Sequence, residues 1–253
     1  MILAIDIGNT NIVLGGFIKD SLSFVARIVT NPSKTEDEYA TKIHSILKLH
    51  NVESKIDGAI ISSVVPPLNS VMKRAVEIAY GVKPIMVGPG IKTGISIHCD
   101  NPSSVGADLI CACVAAHHIY GSPSLIIDMG TATKMMVVDK KGTFIGVSII
   151  PGVNIALRAL ASGTAQLPQI SLEAPKSVIG KNTIDCMRSG VVFGNASMID
   201  GMIDRFNDEM NEDLSVIATG GLASTIVCHC RHEITLDSEL LLKGLNILYN
   251  KNK

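Results

Sequence analysis

The feature that most restricts the fold of this chain is a match between its own two halves. Leu3-Ala-Ile-Asp6-Ile-Gly8-Asn9-Thr10 parallels Leu125-Ile-Ile-Asp128-Met-Gly130-Thr131-Ala132. Each is a short apolar strand that stops at Asp-x-Gly and passes into an amide or hydroxyl side chain. The first continues as Asn11-Ile-Val-Leu-Gly-Gly-Phe17, with Lys19-Asp20-Ser21 as its turn, and the second as Met135-Met-Val-Val138, with Asp139-Lys-Lys-Gly142 at the tip. Both read as β-hairpins whose sharp turn carries the acid and the glycine. Asp6 and Asp128 lie 122 positions apart in 253 residues. The spacing predicts a duplicated α/β fold, with halves over 1–117 and 118–253 and a cleft between them.

The segments between the hairpins fit such halves. Thr35-x-x-Glu38 is a capping box that opens a helix running to about Leu49, with Tyr39, Ile43, Ile46 and Leu47 on one face. Gly58–Val65 reads as a buried strand, Asn69–Tyr80 as a helix and Pro84–Val87 as a short strand. Ser104 to about Tyr120 is a helix rich in small residues that is expected to bridge the halves. Ile155–Leu160, Asp185 to about Met210 and Leu236 to about Tyr249 read as helices, and Ser215–Thr219 as a strand ending in Gly220-Gly221.

Composition removes several classes of function. With 47% apolar and 18% charged residues the chain is neither disordered nor fibrous. A net charge of −1 supplies no general field for nucleic acid or an anionic membrane. Asp6 interrupts the apolar start, no basic segment precedes it, and no run reaches the roughly 18 apolar residues of a membrane span. A cytoplasmic protein with six reduced cysteines is expected. Cys228-His229-Cys230 with His232 is too closely spaced for zinc without a distant second pair of ligands.

Two Asp-x-Gly turns carry a definite chemistry. Glycine lets the backbone approach a ligand, and the N–H groups and hydroxyls of the turn point at an anion. The carboxylate repels a bare phosphate, so it makes sense with a bridging cation, normally Mg²⁺. Two such turns and a third Gly-Gly turn describe a nucleotide cradle; the bland alternative is ordinary hairpins with Asp and Gly as turn formers.

Asp6-Ile-Gly-Asn-Thr10, Asp128-Met-Gly-Thr-Ala132 and Ala218-Thr-Gly-Gly-Leu-Ala223 resemble the two phosphate loops and the adenosine loop of the acetate/sugar kinase and actin superfamily, whose halves are ribonuclease-H-like. Within it the chain is similar to type III pantothenate kinases. Ile60-Ile-Ser-Ser-Val-Val-Pro-Pro-Leu68, Val87-Gly-Pro-Gly-Ile-Lys-Thr-Gly94, Asn101-Pro-x-x-Val-Gly-Ala-Asp108, Pro151-Gly152 and Ser177-Val-Ile-Gly-Lys-Asn-Thr183 follow in the family's order. The resemblance implies a homodimeric enzyme that phosphorylates the 4′-hydroxyl of pantothenate with ATP, using Mg²⁺ and a monovalent cation, K⁺ or NH₄⁺. It implies that Asp6 holds Mg²⁺ through water, that Gly8, Asn9, Thr10, Asn11 and Thr131 contact the phosphates, and that Gly220 and Gly221 form the adenosine loop. Asp108 is implied as general base, within a substrate segment of Gly106, Ala107, Asp108 and Leu109 that Cys99 joins. Asp128 is implied as ligand of the monovalent cation, and Thr183 as a contact reaching the partner's pantothenate site.

The departures from the family pattern cluster at these positions. Leu109 stands where the pattern has Arg, Cys99 where it has an aromatic, Lys134 where it has Thr, Met136 where it has Asp and Val147 where it has Gly. In one reading the chain is a working kinase with a rewired site, in which Lys134 places its ammonium near the phosphates or at the monovalent-cation position; the plain alternative is a lysine directed to solvent. In a second reading the chain is an impaired or substrate-shifted paralogue that still binds nucleotide. In a third it is a regulatory protein on the same scaffold.

Overall fold

The apolar runs on either side of the Asp-x-Gly turns are buried on both faces, which is why they read as almost continuous hydrophobic stretches. The computed structural model describes residues 1–52 and 54–253. In chain order its elements are β1 (Ile2–Ile7), β2 (Asn11–Ile18), β3 (Ser21–Val29), α1 (Glu36–Leu49), β4 (Gly58–Ser63), α2 (Leu68–Tyr80) and β5 (Ile85–Met86). There follow β6 (Ser96–Ile97), a 3₁₀ turn (Pro102–Ser104), α3 (Ala107–Ile119), β7 (Ser124–Met129), β8 (Ala132–Val138) and β9 (Thr143–Pro151). The chain ends with α4 (Val153–Ser162), α5 (Thr183–Met210), β10 (Ser215–Thr219), α6 (Ala223–Val227), β11 (Thr235–Leu236) and α7 (Leu240–Asn252).

Two sheets repeat one topology. The first has the order β3-β2-β1-β4-β5, and the second contains β9-β8-β7-β10-β11 in the corresponding places, with β6 added beside β9. In both, the hairpin and its next strand are antiparallel and the remaining two pairings are parallel. This is the duplicated arrangement that the internal match predicts, in the ribonuclease-H-like form that the resemblance implies. Parallel partners need a crossover, and α2 supplies it between β4 and β5 in the first half.

The chain divides into two compact units. One comprises residues 1–96, 100–115 and 239–253, and the other residues 97–99 and 116–238. The last helix therefore returns to the first unit, where it packs on β1, β2 and β4. Its Gly244 lies against the backbone of Cys111 in α3, so close that a Cβ would collide with the Cys111 carbonyl. The first core gathers Leu3, Ile5 and Ile7 of β1 with Tyr39 and Ile43 of α1 and Leu68 and Met72 of α2. The second gathers Leu125, Ile127 and Met135 with Val192, Ile199 and Ile203 of α5.

Most local expectations hold to within a residue or two. The capping box is formed, with Thr35 Oγ1 accepting from the Glu38 N–H at 3.4 Å and Glu38 accepting from the Thr35 N–H at 2.9 Å. Two boundaries need correction. The helix expected from Ser104 starts at Ala107, because Pro102–Ser104 is spent in a 3₁₀ turn and Val105 is extended. The helix expected from Leu236 starts at Leu240, because Thr235–Leu236 is the edge strand beside β10.

Candidate active site

In the first unit, Asp6 is the last residue but one of β1 and is matched with Ser62 of β4 and Val13 of β2. The turn that follows is closed by the Gly8 N–H donating to the Asn11 carbonyl at 3.0 Å. Thr30 braces it from β3's end: its hydroxyl donates to the Gly8 carbonyl at 2.6 Å and its N–H to the Thr10 carbonyl at 3.0 Å. Asn9, Thr10 and Asn11 are exposed at the tip. This holds the tip on a fixed backbone at the surface, where its amides and hydroxyls can face a ligand.

Asp108 belongs to the same unit and occupies the first turn of α3, where the helix dipole favours an anion. Its Oδ1 accepts from the Leu109 N–H at 2.9 Å. Gly106 makes room for that carboxylate, since a Cβ there would lie 2.5 Å from Oδ1. Cys111 lies one turn further along α3, and the charges of both Asp6 and Asp108 act on it. Burial first, then Asp6 and then Asp108, push the Cys111 thiol well above its ordinary range, partly offset by a contact from Ser62. The Cys113 thiol is raised as well, by burial and then by Asp108. Both thiols therefore stay protonated and are packing groups rather than nucleophiles. Ser62 was not singled out in the sequence, yet it is fully buried beside Asp6. Among the described residues its hydroxyl has the weak sulfur partner and no nitrogen or oxygen to bond. A serine pair inside the apolar run Ala59–Val65 was the available signal.

In the second unit the three remaining motifs meet around one turn. The Gly130 N–H donates to the Ala132 carbonyl at 3.2 Å, which closes the turn and presents Thr131 to solvent. Gly152 lies on the backbone of Gly130 and Thr131, where no Cβ fits. Gly220, at φ 97°, lies on Met129, and a Cβ would sit 2.6 Å from the Met129 carbonyl carbon and oxygen. The Pro151-Gly152 step and the Gly220-Gly221 turn thus both seat the second Asp-x-Gly turn through close backbone approach.

The substituted positions find distinct places. Lys134 is not directed to solvent; it faces Asp128 across the β7–β8 ladder and its Nζ lies 2.6 Å from Asp128 Oδ2. Met136 is fully buried on β8, between Ile126 and Val147, so it packs and offers no ligand. Leu109 is 8% exposed, an apolar contact of α3 within the first unit. Cys99 falls in the second unit, just after His98, whose N–H donates to the Phe144 carbonyl at 2.9 Å. Thr183 opens α5, capped by Asn182, whose Oδ1 accepts from the Asp185 N–H at 3.0 Å. It lines a cavity of about 870 Å³ with Leu160, Gly180, Cys186, Met187 and Val191, and none of the turn residues reaches that wall.

The cysteine–histidine segment disperses. His229 meets the Phe193 ring edge-on, Cys230 donates weakly to the Ala196 carbonyl, and His232 lies 2.8 Å from Asp204. Among the described residues no three histidine, cysteine or acidic side chains gather to hold a metal, and no helix is long and apolar enough to cross a membrane.

Repeated sheets with an Asp-x-Gly turn at each first hairpin define a duplicated ribonuclease-H-like fold. Solved structures share that fold with the chain. The (R)-2-hydroxyglutaryl-CoA dehydratase component A of Acidaminococcus fermentans matches with a TM-score of 0.57 at 15% identity, covering 98% of this chain and 96% of that one. The activator of 2-hydroxyisocaproyl-CoA dehydratase from Clostridium difficile, with bound ADPNP, matches at 0.54 and 12% identity, covering 98% and 92%. At such identities they speak for the fold alone. The sequence profile described as type III pantothenate kinase matches residues 2–205. Type III pantothenate kinases from Geobacillus sp. (strain WCH70) and Halalkalibacterium halodurans are 44% and 43% identical over 253 residues, covering all of this chain and 98% and 100% of theirs. The chain belongs to the type III pantothenate kinase family.

Proposed function

We propose that this chain transfers the γ-phosphoryl group of ATP to the 4′-hydroxyl of pantothenate, the first step of coenzyme A synthesis. The observation that carries the reading is the exposed turn after Asp6, closed by Gly8 and braced by Thr30, with Asp108 in the first turn of α3 in the same unit, within a chain of this family. Mg²⁺ keeps most of its waters and takes one or two carboxylates together with substrate phosphates, so the Asp6 carboxylate beside an exposed glycine turn fits it. Asp6 holds the ion through water, and the ion, when bound, neutralises charge on the phosphates. The Gly8, Asn9, Thr10 and Asn11 turn and Thr131 donate to phosphate oxygens, and Gly220 and Gly221 accept the adenosine. Asp108 takes the proton of the 4′-hydroxyl as its oxygen attacks. Gly106, Ala107, Leu109 and Cys99 are the substrate segment.

Leu109 and Lys134 are also what a paralogue that no longer turns over would carry, and one assay separates the two. In a coupled ADP-release measurement with ATP·Mg and pantothenate, the wild-type protein is expected to turn over. Leu109→Arg is expected to gain nothing and to lose about 1–3 kcal/mol of stability, because the buried leucine leaves no room for a longer charged chain. Activity in the variant alone would show that the missing guanidinium had silenced this copy.

We further propose a cytoplasmic homodimer that pairs through the α4–α5 face of the second unit. Val178, Ile179 and Ile184 are exposed there beside the cavity that Thr183 lines, with Ile179 77% exposed. Exposed apolar clusters of this kind mark partner surfaces. Thr183 would then reach the partner's pantothenate. Ile179→Asp is expected to halve the sedimenting mass while leaving the far-ultraviolet spectrum unchanged; an unchanged mass would place the partner surface elsewhere. All six cysteines are free, as a reducing compartment keeps them.

A further inference from the structure

We infer that the Lys134 ammonium is a built-in counter-charge at the second phosphate turn, so that nucleotide binding by this chain needs no free monovalent cation. The inference rests on the kinase reading above and adds to it. Asp128 is the last residue but one of β7, and the turn that follows the strand, Gly130–Thr131, is the one offered to phosphate in that reading. A carboxylate there repels an approaching triphosphate unless a cation stands beside it. A free K⁺ fits poorly: Oδ2 of Asp128 already lies 2.6 Å from Lys134 Nζ, a distance that leaves no room for an ion between them.

The pair is positioned by the backbone rather than by chance contact. Asp128 and Lys134 are cross-strand partners, and the next pair toward the turn is Met129 and Thr133. Their side chains are only 15% and 17% exposed, so solvent screens them little. An apolar pair would be the cheaper choice in a strand that continues as Met135-Met136, both fully buried. An ion pair kept at the turn end of the ladder fits a need for charge there. Because the ammonium is tethered, its occupancy does not fall with the salt composition of the medium, as that of a free ion does.

The test is the affinity of the full chain for the non-hydrolysable ATP analogue AMP-PNP with Mg²⁺, in choline, sodium and potassium chloride of equal ionic strength. Wild-type protein is expected to bind equally well in all three, with a Tm of the unliganded protein that does not depend on the cation. Lys134→Thr is expected to bind about tenfold more weakly in choline chloride, the loss typical of a missing charge-assisted contact. Potassium or ammonium chloride should restore part of its affinity and raise its Tm saturably. The inference is overturned if wild-type affinity rises about tenfold from choline to potassium, or if the variant shows no cation-linked change in either readout. Should the variant fail to fold, the wild-type comparison decides alone. Pantothenate phosphorylation is followed in the same buffers: its absence throughout, with AMP-PNP still bound, counts against the kinase reading and leaves the counter-charge to the binding data.

Discussion

Replacing Asp108 by Asn is expected to lower kcat by about 10²–10⁴-fold, the range associated with a lost general base, while the affinity for AMP-PNP·Mg stays as it was. The amide keeps the shape of the carboxylate, and its oxygen still accepts from the Leu109 N–H over Gly106. What it loses is the capacity to take a proton and one negative charge near Asp6 and Cys111. KM for pantothenate should change far less than kcat, because an interaction made mainly in the transition state is the one removed. Rapid-quench turnover beside calorimetric titration of AMP-PNP measures both. Joint loss of nucleotide binding and thermal stability would make Asp108 a helix-start acid with a structural role only.

The largest stability effect is expected at Gly220. Alanine there would have to adopt φ near 97° and place its methyl 2.6 Å from the Met129 carbonyl. Left-handed strain and overpacking against backbone each cost about 1–3 kcal/mol, and the backbone atoms of Met129 cannot rotate away. A total near 3 kcal/mol corresponds to a Tm lowered by roughly 6–12 °C for a chain of this size. Met129 lies between Asp128 and Gly130, so the displaced turn should also weaken AMP-PNP binding. Gly146→Ala, in the same sheet with open space at its Cβ, is expected to leave Tm unchanged. Equal Tm values for the two variants would mean that the third turn does not seat the second.

Much of this was legible because it is local. Asp6 and Asp128 could be aligned by eye since a tight turn permits few residues, and the helix over 36–49 could be placed since its cap and its apolar face fall within fifteen positions. β3 was harder to read. It is an edge strand of mixed polarity, and only Phe24 and Ile28 are buried in it, so no burial pattern marks it. The partners of Thr30, Gly152 and Ser62 were not legible for a related reason. Each acts on a residue distant in the chain, and nothing in its own neighbourhood encodes the partner.

The sequence by itself determined the repeat, the two acidic turns and the family, because strand periodicity, turn glycines and motif order are properties of neighbouring residues. Only the tertiary structure decided that the final helix joins the first unit, that Asp6 lies beside the buried Ser62, and that Lys134 closes on Asp128 instead of facing water. Those outcomes depend on strand register and on backbone approach at glycines such as Gly244, and both are set by packing across long stretches of chain.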